Sequence, residues 1–149
     1  MRVRAGDPRE PGALALLQAS HALMESLFPP EDNHYLSVDA LLVPGISFFV
    51  AEAGGEVLGT AALARKAGYG EVKSMFVDPA ARGRGVARAL LGHLETEARG
   101  MGLPLLRLET GNLLEAALAL YTAQGFRPCG AFGDYAVNGT SVFLEKPLE

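Results

Sequence analysis

The stretch "VDPAARGRGVARALLGHLE", residues 77–95, decides the fold. An apolar run of strand character, Gly70 to Asp78, ends at Asp78-Pro79. Arg82-Gly83-Arg84-Gly85 follows, and a helical pattern begins at once, with Ala87, Leu90, Leu91, Leu94 and Ala98 spaced to share one face. The first N–H groups of a helix have no intrahelical partner and carry the positive end of its dipole. Glycines there allow close backbone approach and conformations that other residues avoid. The turn therefore reads as a phosphate or pyrophosphate site reinforced by Arg82 and Arg84, or as a plain strand-to-helix connection with solvated arginines. Other phosphate cradles do not match: Arg88 breaks a GxGxxG spacing, and GxxxxGK[ST] is absent.

Working outward, "LPLLRLET" (103–110) reads as a strand after the helix, which makes a β-α-β unit with the two strands parallel. Before it, "ISFFVAEA" (46–53), a Gly54-Gly55 turn and "EVLGTAALAR" (56–65) form a hairpin. A short strand (2–5) comes first, then a helix (7–28) whose start is marked by Asp7 or the prolines and whose apolar face carries Leu14, Leu17, Leu23 and Leu27. The double proline Pro29-Pro30 breaks this helix, and a second one is expected near Ser37. Downstream, 112–124 reads as a helix closed by Gly125. Strands are expected over 126–137 and 140–146, joined at Asn138-Gly139. The order predicts one α+β domain over 1–149, with helices on both faces of a mixed, mostly antiparallel sheet of about six or seven strands.

Composition narrows the function classes. Of 149 residues, 49% are hydrophobic and 20% charged, which suits a globular core. The net charge of −4 gives no sign of a nucleic-acid surface. One cysteine, Cys129, and three scattered histidines, His21, His34 and His93, point to neither a disulfide nor a metal site. No apolar run approaches the ~20 residues that span a bilayer, and the N-terminus lacks a signal-peptide core, so a cytoplasmic protein without membrane contact is expected.

Two motifs then carry a resemblance. Arg82-Gly83-Arg84-Gly85-Val86-Ala87 after Val77-Asp78-Pro79 resembles the acetyl-CoA signature [R/Q]-x-x-G-x-[G/A] of the GNAT superfamily of N-acetyltransferases. "LYTAQGF" (120–126) resembles that superfamily's L-Y-x-x-x-G-F block, and Ala117 matches its alanine four residues before the tyrosine. Leu108-Glu109-Thr110-Gly111 is similar to the "LETG" of one bacterial subgroup. One position departs: Leu114 stands where many members carry an asparagine, with Asn112 nearby but out of register.

The resemblance implies acetyl transfer from acetyl-CoA to an amine of a small molecule or protein, by direct attack on the thioester and without an acyl-enzyme. Cys129 is then structural. The resemblance places the pyrophosphate on the amides of 83–87 and the pantetheine beside backbone freed where strand 70–78 splays from 103–110, at Met75 and Val77. The N–H of Met75 or Phe76 would polarise the thioester carbonyl. It puts Tyr121 at the general-acid position, beside the sulfur. A tyrosine (pKa ~10) holds its proton more tightly than a thiol (~8.5), so hydrogen bonding is the more natural role than full transfer.

A neutral amine is needed for attack, and Glu71, early on the strand passing the cofactor, is the expected base, with Glu109 second. Alternation puts Glu71, Lys73 and Met75 on one face; a solvated Glu71–Lys73 pair is the competing reading. Glu25, Glu31, Asp32, His34 and Tyr35 cluster before the hairpin, with Phe132 and Tyr135 opposite, which suggests a cationic amine or else a solvated loop. Homodimers are common in the superfamily. A non-catalytic acyl-CoA-binding regulatory module is the alternative function.

Overall fold

A computed structural model describes residues 1–148. Seven strands form one sheet in the order β1-β2-β3-β4-β5-β7-β6. They are β1 (Arg2–Ala5), β2 (Ile46–Ala53), β3 (Glu56–Lys66), β4 (Tyr69–Val77), β5 (Leu105–Gly111), β6 (Arg127–Pro128) and β7 (Ser141–Pro147). Only β4 and β5 pair parallel; every other neighbour is antiparallel. The helices are α1 (Pro11–Leu27), α2 (Val86–Gly100) and α3 (Glu115–Ala123).

The core has two layers. On one face, Ala13 and Leu17 of α1 pack with Leu41, Phe48, Val50 and Ala62. On the other, Val86, Leu90, Leu91, Leu94 and Ala98 of α2, with Tyr121 of α3, cover Leu63, Val72, Leu106 and Leu108. At about 25 cal/mol per Å2, each fully buried leucine contributes roughly 1.5–3 kcal/mol, so α2 is anchored chiefly by its three leucines.

Several expectations change. Of the two start markers, the proline at 11 holds and Asp7 does not: residues 7–10 form a turn closed by the Glu10 N–H on the Asp7 carbonyl, and Pro11 takes the first helical position, where no N–H is needed. Its buried face is Ala13, Leu16, Leu17 and Ser20. Leu14 and Leu23 are only half-buried and Leu27 is exposed. The second helix near Ser37 is a single 3-10 turn, Asp39–Leu42, too short to bury more than Leu41. The helix expected from 112 begins at Glu115, after a turn closed by the Leu114 N–H on the Gly111 carbonyl.

The strand expected over 126–137 shrinks to Arg127–Pro128, and Asn138-Gly139 is not a tight hairpin. Residues 129–140 form a loop instead. Asn138 Oδ1 accepts from the N–H groups of Thr140 and Ser141, at 2.8 and 2.6 Å, and so turns the chain into β7. Phe132 and Tyr135 fold back against Phe143, with ring centroids 5.7 Å apart in each case.

Candidate active site

Two departures from regular sheet build the site. The parallel ladder between β4 and β5 lasts only two steps, Gly70 with Leu106 and Glu71 with Arg107. Beyond them β4 runs on to Val77 while β5 stays paired with β7 up to Gly111, so a cleft opens between the strands.

Within β4 a bulge intervenes. Thr60 faces Phe76 but Ala62 faces Lys73, so two β4 residues, Ser74 and Met75, stand against one on β3, Ala61. Ser74 takes the left-handed region, φ 53°, the only non-glycine to do so among the described residues. The buried Thr60 hydroxyl donates to the Ser74 carbonyl at 2.8 Å and holds the bulge. The Ser74 Oγ is buried without a protein partner at the cleft.

The bulge overturns the alternation expected for β4. Glu71 and Lys73 point to the α1 side, with Lys73 opposite Ala62. Met75 and Val77 turn to the α2 side and pack on its core. No residue type signalled this; a serine at positive φ is invisible in the pattern.

Two cavities meet in the cleft. The larger, about 710 Å3, runs from Met75, Phe76 and Val77 along Arg82, Gly83, Gly85, Val86 and Ala87 to Tyr121. Of the residues expected to hold the cofactor, only Arg84 lies outside its lining. Sequence reasoning missed Leu23, Met24, Leu27, Arg88, Leu113 and Leu120, which complete the walls. Leu27 and Leu113 are exposed large hydrophobics, which marks them as wall rather than core only once the fold is known.

Gly83 and Gly85 both have φ 78°, and a Cβ on either would meet nothing within 4 Å. Gly85 caps α2 without a side-chain bond, which leaves the first amides of the helix free. A row of free amides, open space beside two glycines and an apolar channel fit a pyrophosphate with its pantetheine arm. Acetyl-CoA suits these residues.

The smaller cavity, about 130 Å3, is lined by Met24, Asp32, His34, Tyr35, Lys73, Ser74, Glu109 and Gly111, among others. It shares Met24, Met75, Leu114, Ala117 and Tyr121 with the larger one. Leu114, in place of an asparagine, thus gives the junction an apolar wall. Gly111 is required because a Cβ there would overlap the Phe28 ring, which closes the cavity from α1. The loop after α1 is tied over the cleft. Asp32 accepts from the Thr140 hydroxyl (2.9 Å), His34 Nδ1 lies 3.3 Å from Glu109 Oε2, and Tyr35 stacks on His21 at 4.0 Å.

Tyr121 is buried at the junction, and burial alone pushes its phenol well above the ordinary tyrosine value, so it stays a neutral donor. Glu71 sits one layer behind. It lines neither cavity, accepts from the Tyr135 hydroxyl at 2.6 Å and lies 3.4 Å from Lys73 Nζ. Lys73 Nζ also donates to Tyr135 Oη (2.7 Å) and to the His34 carbonyl (3.1 Å). Tyr135 is held protonated by burial first and by Glu71 second. It backs the His34 ring edge-on at 5.2 Å rather than lining the cavity. Glu25 also lies outside, where it accepts from the Tyr35 hydroxyl at 2.6 Å. Cys129 is only partly buried, its thiol pushed up first by burial, and it lines neither cavity. Among the described residues no cluster of metal ligands occurs, and no helix is long and apolar enough to cross a membrane.

Known proteins share this architecture. An IAA acetyltransferase of Azospirillum brasilense is 43% identical over 95% of this chain and 94% of its own. An uncharacterised N-acetyltransferase of Bacillus subtilis, YsnE, is 34% identical over 99% of this chain and all of its own. The crystal structure of a candidate acyl-CoA N-acyltransferase from Klebsiella pneumoniae superposes with a TM-score of 0.83 at 33% identity, over 99% of this chain and 97% of that one. The model of the acetyltransferase (GNAT) family matches residues 14–126. The chain belongs to the GNAT family of acetyltransferases.

Proposed function

We propose that this acetyltransferase acts on the amine of a small cationic molecule held in the 130 Å3 cavity, with acetyl-CoA in the 710 Å3 channel. The observation that carries this reading is the meeting of the two spaces at Tyr121, Met75 and Ala117. Acetyl-CoA, when bound, supplies an activated thioester for the amine to attack.

The residues of the chain divide the remaining work. The free amides at the start of α2, with Gly83 and Gly85, bind the pyrophosphate, and Arg82 and Arg88 add positive charge. Backbone of Met75 and Val77, unpaired beyond the short β4–β5 ladder, aligns the pantetheine arm. An N–H at Met75 or Phe76 donates to the thioester oxygen. The neutral Tyr121 hydroxyl donates toward the sulfur. Asp32 and Glu109 give the small cavity a negative lining, because Lys73 is offset by Glu71 behind it, and this favours an ammonium-bearing guest.

The cavity is narrow, which supports a small amine over a folded protein surface. Release of the coenzyme A thiol tests this across small primary amines and peptides with free N-termini. Release driven by small cationic amines, with the acceptor gaining one acetyl group by mass, supports the reading. Release only with peptides overturns the acceptor class. Tight acetyl-CoA binding with no release for any acceptor favours a non-catalytic acyl-CoA-binding module. The compartment expected is the cytoplasm, and a homodimer is tested by sedimentation.

A further inference from the structure

His34 is ordered from several sides at once. Its Nδ1 lies 3.3 Å from Glu109 Oε2. Glu109 in turn accepts from the Ser141 hydroxyl at 2.7 Å. The His34 carbonyl accepts from Lys73 Nζ, and Tyr135 packs against its ring. Glu109 of β5 and Tyr135 of the 129–140 loop thus meet the imidazole itself, while Lys73 of β4 holds its backbone carbonyl and Ser141 of β7 holds Glu109. A carboxylate beside Nδ1 selects the tautomer that carries its proton there, and leaves the Nε2 lone pair as the acceptor. The ring lines the same small cavity as Tyr121.

Glu71 has no comparable opening, since it is buried, lines neither cavity, and its Oε2 meets both Tyr135 and Lys73. An alkyl ammonium group with pKa ~10.4 is neutral in only about one molecule in a thousand near neutral pH, so a local acceptor has a large effect.

We propose that His34, oriented by Glu109 and Ser141, takes the proton from the ammonium group of the acceptor. This rests on reading the small cavity as the acceptor site. One N–H bond of the ammonium breaks, its electron pair stays on nitrogen, and the proton joins Nε2. The imidazolium formed lies beside the Glu109 carboxylate and returns its proton to water. The groups facing His34 are Glu109 from β5, Lys73 with Glu71 behind it from β4, Tyr135 from the 129–140 loop, and Asp32 and Tyr35 on its own segment. Lys73 and Glu71 offset each other, so Glu109 and Asp32 are the uncompensated charges near the ring. His34 is the catalytic residue; Glu109 and Ser141 position it.

The test pairs kinetics with a spectroscopic titration of the free protein. Thiol release is measured from low to high pH with ethanolamine, tyramine and spermidine, and kcat/KM is taken for the fastest. His34→Gln is expected to lower kcat/KM by about 100-fold or more near neutral pH. It should abolish the acid limb of the profile and leave acetyl-CoA affinity within about twofold. The NMR titration of the His34 ring proton should span the same pH interval as the wild-type acid limb. Glu109→Gln should move limb and titration together, and Ser141→Ala should move both by less.

A His34→Gln protein that keeps its acid limb and loses less than about threefold overturns the proposal, as does a limb that does not track the His34 resonance. Should His34→Gln not fold, Ser141→Ala decides, because a purely structural serine would leave the limb in place. Absence of release with all three amines refutes the acceptor site itself. In that case a His34 titration indifferent to Glu109→Gln also refutes the pairing, and one that moves with it leaves only the pairing standing.

Discussion

Replacing Gly85 by alanine separates the role of backbone conformation from that of side-chain space. Gly85 has φ 78°, and a Cβ there meets nothing within 4 Å, so the substitution introduces no clash. What remains is the left-handed backbone, which costs an alanine about 1–2 kcal/mol. If the chain bears that cost in place, the protein loses about 1–2 kcal/mol of stability and the amide cradle persists. If φ relaxes to negative values, the first N–H groups of α2 turn away. Losing one charge-assisted bond of about 1.5–3 kcal/mol then weakens coenzyme A by about 10- to 150-fold.

Because Gly85 is the cap of α2 with no side-chain bond to fix it, relaxation is the expected outcome. Asparagine tolerates the left-handed region better than alanine, so Gly85→Asn should fall between the wild type and Gly85→Ala. Isothermal titration with coenzyme A reports affinity and urea denaturation reports stability. A folded Gly85→Ala protein that binds within threefold of wild type and has lost no stability refutes the reasoning, because neither branch allows both. Gly85→Asn binding as weakly as Gly85→Ala refutes the conformational explanation.

Other perturbations have equally definite outcomes. Tyr121→Phe should lower turnover at least about tenfold while acetyl-CoA affinity changes little, since only the hydroxyl is lost at a junction the ring still fills; near-wild-type turnover would remove its sulfur-side role. Lys73→Met leaves the buried Glu71 without its cation and should cost about 3–5 kcal/mol in urea melts. The double variant Lys73→Met/Glu71→Gln should recover much of that loss, and no recovery would mean the pair is not coupled. All four tyrosines hold their protons to higher pH than an unfolded chain does: Tyr121 through burial, Tyr135 and Tyr69 mainly through burial, and exposed Tyr35 mainly through its bond to Glu25. Stability should therefore be fully present below pH ~10, where unfolded tyrosine ionises, and fall above it; a urea midpoint unchanged up to about pH 11 would contradict this.

The lining of the larger cavity was far more legible in the sequence than that of the smaller one. Gly83, Gly85 and the leucine face of α2 are local features, in which spacing alone specifies a turn and a helix. The same holds for the β2–β3 hairpin and for the position of Tyr121 on α3. For Leu23 and Leu27, helical periodicity reports only that a face is apolar. Whether that face meets the sheet or a channel wall depends on where α1 lies.

The bulge at Ser74 was hidden for a related reason. It is fixed by Thr60, 14 residues away on the next strand, and it reverses the faces of Met75 and Val77. The 129–140 segment carries strand-like residues, yet its aromatics serve a cluster with Phe143 and His34 instead of a ladder. Glu71 stood at the right height on β4. Only the fold reveals that Tyr135, 64 residues later, covers it.

The central claim is that one cleft, opened by the short β4–β5 ladder, brings the acetyl donor and the amine together at Tyr121. A crystal structure of the complex with coenzyme A tests it most directly. The account predicts the pyrophosphate on the amides of 83–88, within about 3.2 Å of at least two of them, and the thiol within hydrogen-bonding reach of the Tyr121 hydroxyl. The small cavity beyond the thiol should stay open toward His34 and Glu109. Coenzyme A bound away from the α2 N-terminus, or a thiol directed away from Tyr121, would contradict it.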